Sequence, residues 1–327
     1  QRGTCTFATK VANAESAGAS AVIIFNEGQN NRTDVVEGML EESGSSIPVV
    51  GVSFQTGDTL HNFTGDVRVV VDSTQTTIET ENIFAEPFDS LSEQVLLVGA
   101  HLDSVVAGPG INDNGSGSAM LLAMADWLAS NTPDTQSTIR FAWWSAEELG
   151  LLGSQHYVEN ATDLDEIQYY LNFDMVASPN YVRFIYDGDG SQFGLEGPIG
   201  SDIIETAFQT HFQDKGLTFT GTPFDGRSDY GPFIQANIPA GGLFTGAEMQ
   251  MSEEQALEYN GEAGLEYDAC YHKACDTIDN ISSVALQEMG DAALNVTLQL
   301  ATFESANPTP RTQRQVHMDY RGHWLIR

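Results

Sequence analysis

Short apolar runs alternate with stretches of helical periodicity along this chain, and the pattern changes character near residue 75. Before that point, a helical pattern in ATKVANAESAGA and β runs in SAVIIFN, IPVVGVS and DVRVVVD are separated by Gly, Asn and Ser turns. They predict a small α/β or β-rich unit over residues 1–75, closed by the polar junction STQTTIETE. From 76 to 303 one theme repeats. Strand VLLVGAHLD precedes helix GSAMLLAMADWLAS, strand STIRFAWWSAEE precedes helix GSQHYVEN, and strand IQYYLNFDMV ends around Asp174. YVRFIYDG, helix SDIIETAFQTHFQDKG and strand IPAGGLF follow, and a closing helix spans about 280–303. Strands apolar on both faces, alternating with helices, predict a three-layer α/β domain around a mostly parallel sheet. In such sheets ligands bind beyond the carboxyl ends of the strands. Residues 304–327 carry no clear periodicity and a Pro-rich start, and read as a linker or disordered tail.

Composition narrows the classes. A chain of 327 residues has room for one large and one small domain. Its 46 acidic against 13 basic residues give a net charge of −33, which repels phosphate backbones and argues against nucleic acid. The acidity otherwise reads as a solubility device. No apolar run approaches the roughly 20 residues that span a bilayer, so no membrane partner is expected. Three cysteines are too few for a disulfide scaffold, and Cys5 stands apart from Cys270 and Cys275. No signal-peptide pattern is seen, and the abrupt opening QRGTCTF suggests a fragment or a processed chain. Six N-x-S/T sequons, at Asn31, Asn62, Asn114, Asn160, Asn280 and Asn295, fit a glycosylated secreted protein.

Candidate chemistry gathers at the predicted strand ends: His101 and Asp103, then Asp113, then the pair Glu147 and Glu148, then Asp174. His272 sits between Cys270 and Cys275 in ACYHKAC. Each residue alone reads as a helix cap or a satisfied polar side chain. Together, imidazole nitrogen and carboxylate oxygen make the ligand set of a hydrolytic zinc site. Two histidines with several carboxylates exceed what one zinc needs, which points to two metals about 3.5–4 Å apart. A serine hydrolase would need G-x-S-x-G, which is absent.

In order along the chain, GAHLDS, GINDNGSGSA, RFAWWSAEELGLLGS, YLNFDM, DGRSDYGPF, GGLFTGAE and YHKACD closely resemble the secreted co-catalytic dizinc aminopeptidases of bacteria and fungi. These are the leucyl aminopeptidase and aminopeptidase Y type; glutamate carboxypeptidases and glutaminyl cyclases are more distant relatives. The likeness covers about residues 80–300, and RGTCTFATKVANAESAGASAVIIFNE resembles a protease-associated (PA) domain truncated at its start. The resemblance implies two Zn2+ per chain, bridged by Asp113, with His101 and Asp174 on one and Glu148 and His272 on the other. Glu147 would be the general base and not a ligand, since neighbours on an extended segment point to opposite sides. Tyr271 would donate to the tetrahedral oxyanion, and Asp103 would hydrogen-bond His101 and set its tautomer. A cis peptide is implied at Asp113-Asn114.

Arg227, in DGRSDYGPF, resembles part of the substrate-binding wall, although a helix start fits that stretch equally well. Phe244 reads as a pocket aromatic or as core, and with Phe224 and Phe233 would favour a large apolar first residue. For Cys270 and Cys275, a short disulfide clamping the Tyr271-His272 loop fits a secreted protein better than a pair of zinc thiolates. The sequon at Asn114 lies in the catalytic loop, where a glycan would block substrate. Carboxypeptidase action is the rival reading, but it needs cations for a substrate carboxylate, for which Arg227 and Lys273 are the candidates in the motif-rich region. A non-catalytic receptor-like relative would be expected to have lost ligands that are present here. The expectation is an extracellular, monomeric metallo-aminopeptidase acting on peptides or proteins with a free N-terminus.

Overall fold

The computed structural model describes residues 1–302 apart from 4, 29–32, 37, 39, 41–44, 74–75 and 89–91. The sequon at Asn31 and the tail 304–327 lie outside the described residues. The chain divides into two compact units, Gln1–Glu79 and a larger one beginning at Thr80. In the first, helix α1 (Phe7–Ser16) starts at Thr6, whose hydroxyl accepts the Thr9 N–H. Strands β1 (Val22–Phe25) and β2 (Val49–Val52) pair in parallel, and α2 (Phe54–His61) is capped by Ser53. Phe7, Val11, Ile24 and Val36 form its small core. The run DVRVVVD is not a strand: Val67, Val70 and Val71 are exposed, and the segment pairs with no strand among the described residues. Water satisfies the backbone of this exposed run, so its apolar composition alone does not make a strand.

The larger unit is built on β3 (Ile83–Ala85), β4 (Val95–His101), α3 (Gly115–Asn131), β5 (Thr138–Trp144), α4 (Leu152–Asn160) and β6 (Ile167–Phe173). It continues through β7 (Phe184–Tyr186), α5 (Ser201–Lys215), β8 (Thr220–Thr222), α6 (Tyr230–Gln235), β9 (Ala240–Phe244), α7 (Glu253–Tyr259) and α8 (Ser283–Thr302). The sheet runs β3-β5-β4-β6-β9-β7-β8. β5, β4, β6 and β9 are parallel; β3 joins β5, and β7 joins β9, antiparallel. The sheet is thus mostly parallel with mixed edges.

Alternation along the central strands explains the three layers. Leu96, Val98 and Ala100 of β4 share a core with α3, α5 and α8, while Val95 and Leu97 face a second core containing Phe233 and Ile234 of α6. β5 divides likewise, with Ile139, Phe141 and Trp143 on one side and Ala142 and Trp144 on the other. No helix among the described residues is long and apolar enough to cross a membrane.

Gly99 interrupts the side chains of β4 on the second face because the space is taken. A Cβ there would lie 2.3 Å from Tyr170 Oη and 2.5 Å from Trp144 Nε1, the two ends of a buried hydrogen bond. Gly99→Ala is therefore expected to lower stability by about 1–3 kcal/mol through overpacking alone. Urea denaturation measures it, and a midpoint equal to the parent's would contradict the tight fit.

Candidate metal centre

The chain reaches the site at the carboxyl ends of neighbouring strands. His101 is the last residue of β4, Asp174 follows the end of β6, and Glu147 and Glu148 follow the end of β5. Asp113 stands just before α3, which Asn114 caps by accepting the Gly117 N–H at 2.9 Å. The Asp113-Asn114 peptide bond is cis. His272 lies in a loop closed by a Cys270–Cys275 disulfide, while Cys5 is a free thiol.

These residues meet around one carboxylate. His101 Nε2 lies 3.1 Å from Asp113 Oδ1 and 3.3 Å from Asp174 Oδ1. On the other side, His272 Nε2 lies 3.0 Å from Asp113 Oδ2 and 3.0 Å from Glu148 Oε2. Two groups able to hold a metal result, His101-Asp113-Asp174 and Asp113-Glu148-His272, sharing Asp113 through different oxygens. Two atoms bound to one tetrahedral zinc at ~2.0–2.1 Å stand about 3.3 Å apart, so these spacings suit a shared ion. Glu148 Oε1 is buried without a hydrogen-bond partner, as an oxygen reserved for a cation would be. The residues present fit zinc.

Electrostatics point the same way. Burial alone would lower the His101 pKa, yet the charges of Asp174 and Glu147 and bonds to Asp103 and Asp113 raise it well above the usual histidine value. His272 is likewise raised to about 9, against burial, by Asp113 and Glu148. Asp113 is held well below the usual carboxylate range, because its bonds to both imidazoles outweigh its burial. Burial pushes Glu147 well above its ordinary value; Asp229, Asp174 and Glu148 add to the rise and His101 opposes it. Asp229 itself is pushed up to about 7, chiefly by burial.

Glu147 belongs to neither metal group. The separation of the two glutamates does not arise from an extended segment, as the sequence suggested. They sit in a turn in which the Gly150 and Leu151 N–H groups donate to Glu147 O. Asp103 anchors that turn, accepting the Glu147 N–H at 3.0 Å and the Glu148 N–H at 3.2 Å. Its backbone oxygen lies 3.2 Å from His101 Nδ1, whereas its carboxylate stands 3.6 Å away. Both the main chain and the side chain of Asp103 thus face His101 Nδ1, the main-chain oxygen closer.

Several supporting residues have no signal in spacing. Asp276, next to Cys275, accepts the N–H groups of Asn112 and Asp113 at 2.9 and 3.1 Å, tying the Asp113 loop to the His272 loop. A chain of buried hydrogen bonds runs from Trp144 Nε1 to Tyr170 Oη (2.8 Å), to Asn172 Oδ1 (2.8 Å). It resumes from Asn172 Nδ2 to Ser228 Oγ (2.8 Å) and ends where Ser228 donates to Asp174 Oδ2 (2.6 Å).

Other expected positions divide. Tyr271 stacks on His272 with centroids 3.9 Å apart, and its hydroxyl accepts from Arg227 Nη2 at 3.3 Å. Arg227 also holds Glu248 through two bonds of 3.0 and 3.3 Å. Phe244 is half-buried and stacks on Phe184. Phe233 and Phe224 are core residues, not exposed walls: Phe233 stacks on Tyr170 at 4.0 Å and Phe224 on Tyr186 at 5.2 Å. Asn114 is buried and donates to Phe173 O, so its sequon is closed to modification in the folded chain.

Residues 82–297 match the model of peptidase family M28, and residues 1–60 that of the PA domain. The chain belongs to peptidase family M28. Over 307 residues it is 48% identical to an aminopeptidase of Pseudomonas aeruginosa, covering 92% of this chain and 57% of that protein. It is 40% identical to leucine aminopeptidase 2 of Arthroderma otae, over 96% of this chain and 64% of the relative. Among solved structures, a zinc aminopeptidase from Bacillus subtilis superposes with a TM-score of 0.64 at 29% identity, over 93% of this chain and 70% of that one. The chain thus spans about three fifths of the length of these curated relatives.

If Ser228 orients Asp174, Ser228→Ala should weaken zinc binding about 10–100-fold while leaving the fold intact. Competition against a zinc chelator, with circular dichroism as control, measures it. Unchanged affinity would show that the hydroxyl does not position the ligand.

Proposed function

We propose that this chain is the catalytic part of a zinc-dependent aminopeptidase, removing N-terminal residues from peptides or proteins. The observation that carries the reading is the pair of histidine-carboxylate groups sharing Asp113, beside a buried glutamate that joins neither. Two zinc ions are proposed, one with His101, Asp113 and Asp174, the other with Asp113, Glu148 and His272. When bound, they supply Lewis acidity, which acidifies a water and polarises the scissile carbonyl.

The chain's own groups do the rest. Glu147, buried beside the two groups and a member of neither, takes the proton from the attacking water and passes it to the departing amine. Tyr271 keeps its proton, because burial raises its pKa well above the usual value despite Arg227, so its O–H can donate to the oxyanion. Arg227 braces that hydroxyl. A substrate's α-ammonium would enter a region rich in carboxylates, where charge-assisted hydrogen bonds are worth roughly 1.5–3 kcal/mol each. The name of the Arthroderma otae relative, leucine aminopeptidase 2, supports a large apolar first residue.

Two observations weigh against a carboxypeptidase. Arg227 is paired with Glu248 and Lys273 with Glu266, so neither stands ready for a substrate carboxylate. The disulfide supports an oxidising, extracellular location.

Leu-p-nitroanilide, its N-acetyl form and a peptide with a C-terminal Glu test the direction of cleavage. Acetylation should cut the rate at least about tenfold for each 1.4 kcal/mol of lost ammonium binding. Indifference to acetylation, or faster release of the C-terminal residue, would contradict the assignment.

A further inference from the structure

A third group of acidic side chains, Asp187, Asp189 and Glu205, shares no member with the groups around Asp113. Asp187 follows β7, Asp189 stands two residues on, and Glu205 projects from α5. Oxygens from all three lie within 4.8 Å of one another. Asp187 and Glu205 are buried, whereas Asp189 is exposed and opens the group to solvent.

Most of the oxygens are accounted for. Glu205 Oε2 accepts the N–H groups of Gly188 and Asp189 at 2.8 and 3.1 Å, and Oε1 accepts Gln209 Nε2 at 2.7 Å. Asp187 Oδ2 accepts the N–H groups of Gln192 and Phe193 at 3.1 and 2.9 Å. Asp189 Oδ1 accepts the Ser191 N–H at 2.8 Å. The buried exception is Asp187 Oδ1, which has no hydrogen-bond partner. The Asp187 side chain lies within hydrogen-bond reach of that of Asp189, whose pKa is lowered chiefly by its bonds to Ser191. A buried oxygen left this way is costly, and three carboxylates so close repel one another. Burial pushes the Glu205 pKa up, and the charges of Asp189 and Asp187 push it further.

A cation would remove both costs. The donors are all hard oxygens, with no imidazole or thiolate in the group, which disfavours zinc and copper and favours calcium or magnesium. The oxygens come from an irregular loop and a helix, and one carboxylate faces solvent where waters can complete the shell. That suits calcium, which accepts six to eight oxygens in flexible geometry, better than strictly octahedral magnesium. We propose that Asp187, Asp189 and Glu205 form a calcium site that ties the loop after β7 to α5. The tie would stiffen a wall of the metal centre. Tyr186 stacks on Phe224, which leads into the segment where Ser228 donates to Asp174.

Calorimetric titration of the zinc-saturated full chain with calcium chloride, together with thermal denaturation, tests this. One calcium per chain should bind beyond zinc and raise the melting temperature. Asp189→Asn, at an exposed position that leaves the core intact, should weaken calcium at least about tenfold; Asp187→Asn should abolish binding if that variant folds. No calcium uptake by the parent would overturn the proposal, as would equal affinity in the parent and Asp189→Asn, which would place calcium elsewhere on the acidic surface. Magnesium binding as tight as calcium would overturn the choice of ion.

Discussion

Five carboxylates, those of Asp113, Glu147, Glu148, Asp174 and Asp229, are buried in one region beyond the strand ends, with two imidazoles as their nearest cationic partners. Two like charges 4 Å apart repel by about 4 kcal/mol at an effective dielectric constant of 20, which is comparable with the whole stability margin of many domains. This crowding raises both histidine pKa values and adds to burial in raising those of Glu147 and Asp229. Metal ions answer the same repulsion more completely. The opposed oxygens of Asp113 place that demand at the midpoint of the site.

Holding so much charge in a fixed arrangement requires supports that are themselves satisfied. Asp103 fixes the turn of the two glutamates, Asp276 fixes the backbone before Asp113, and the disulfide closes the loop that presents His272. The chain from Trp144 to Ser228 connects Asp174 to the centre of the sheet. Gly99 matters for the same reason, since its missing side chain leaves room for the first bond of that chain. Packing and the candidate metal centre thus share one set of residues.

Much of this was legible in the sequence. Runs such as VLLVG and FAWW are apolar on both faces, and only a strand covered on both sides allows that, so β4, β5 and β6 and the helices between them stood out. Edge elements did not. β3 and β8 are only three residues each, and α6 and α7 are too short to show a period. DVRVVVD had the composition of a strand and lacked a partner. At the site, the convergence of His101, Asp113, Glu148, Asp174 and His272 followed from their places at strand ends and in quoted motifs. The turn at Glu147, the double acceptance by Asp103 and the buried position of Phe233 depend on tertiary contacts that no local pattern encodes.

Crystallography of the zinc-loaded chain at the zinc absorption edge tests the central claim, that Asp113 joins two metal positions from which Glu147 is excluded. The account predicts two anomalous peaks about 3.5–4 Å apart, one on each side of the Asp113 carboxylate, with Glu147 coordinating neither. A single peak, or a peak within bonding distance of Glu147, would contradict it.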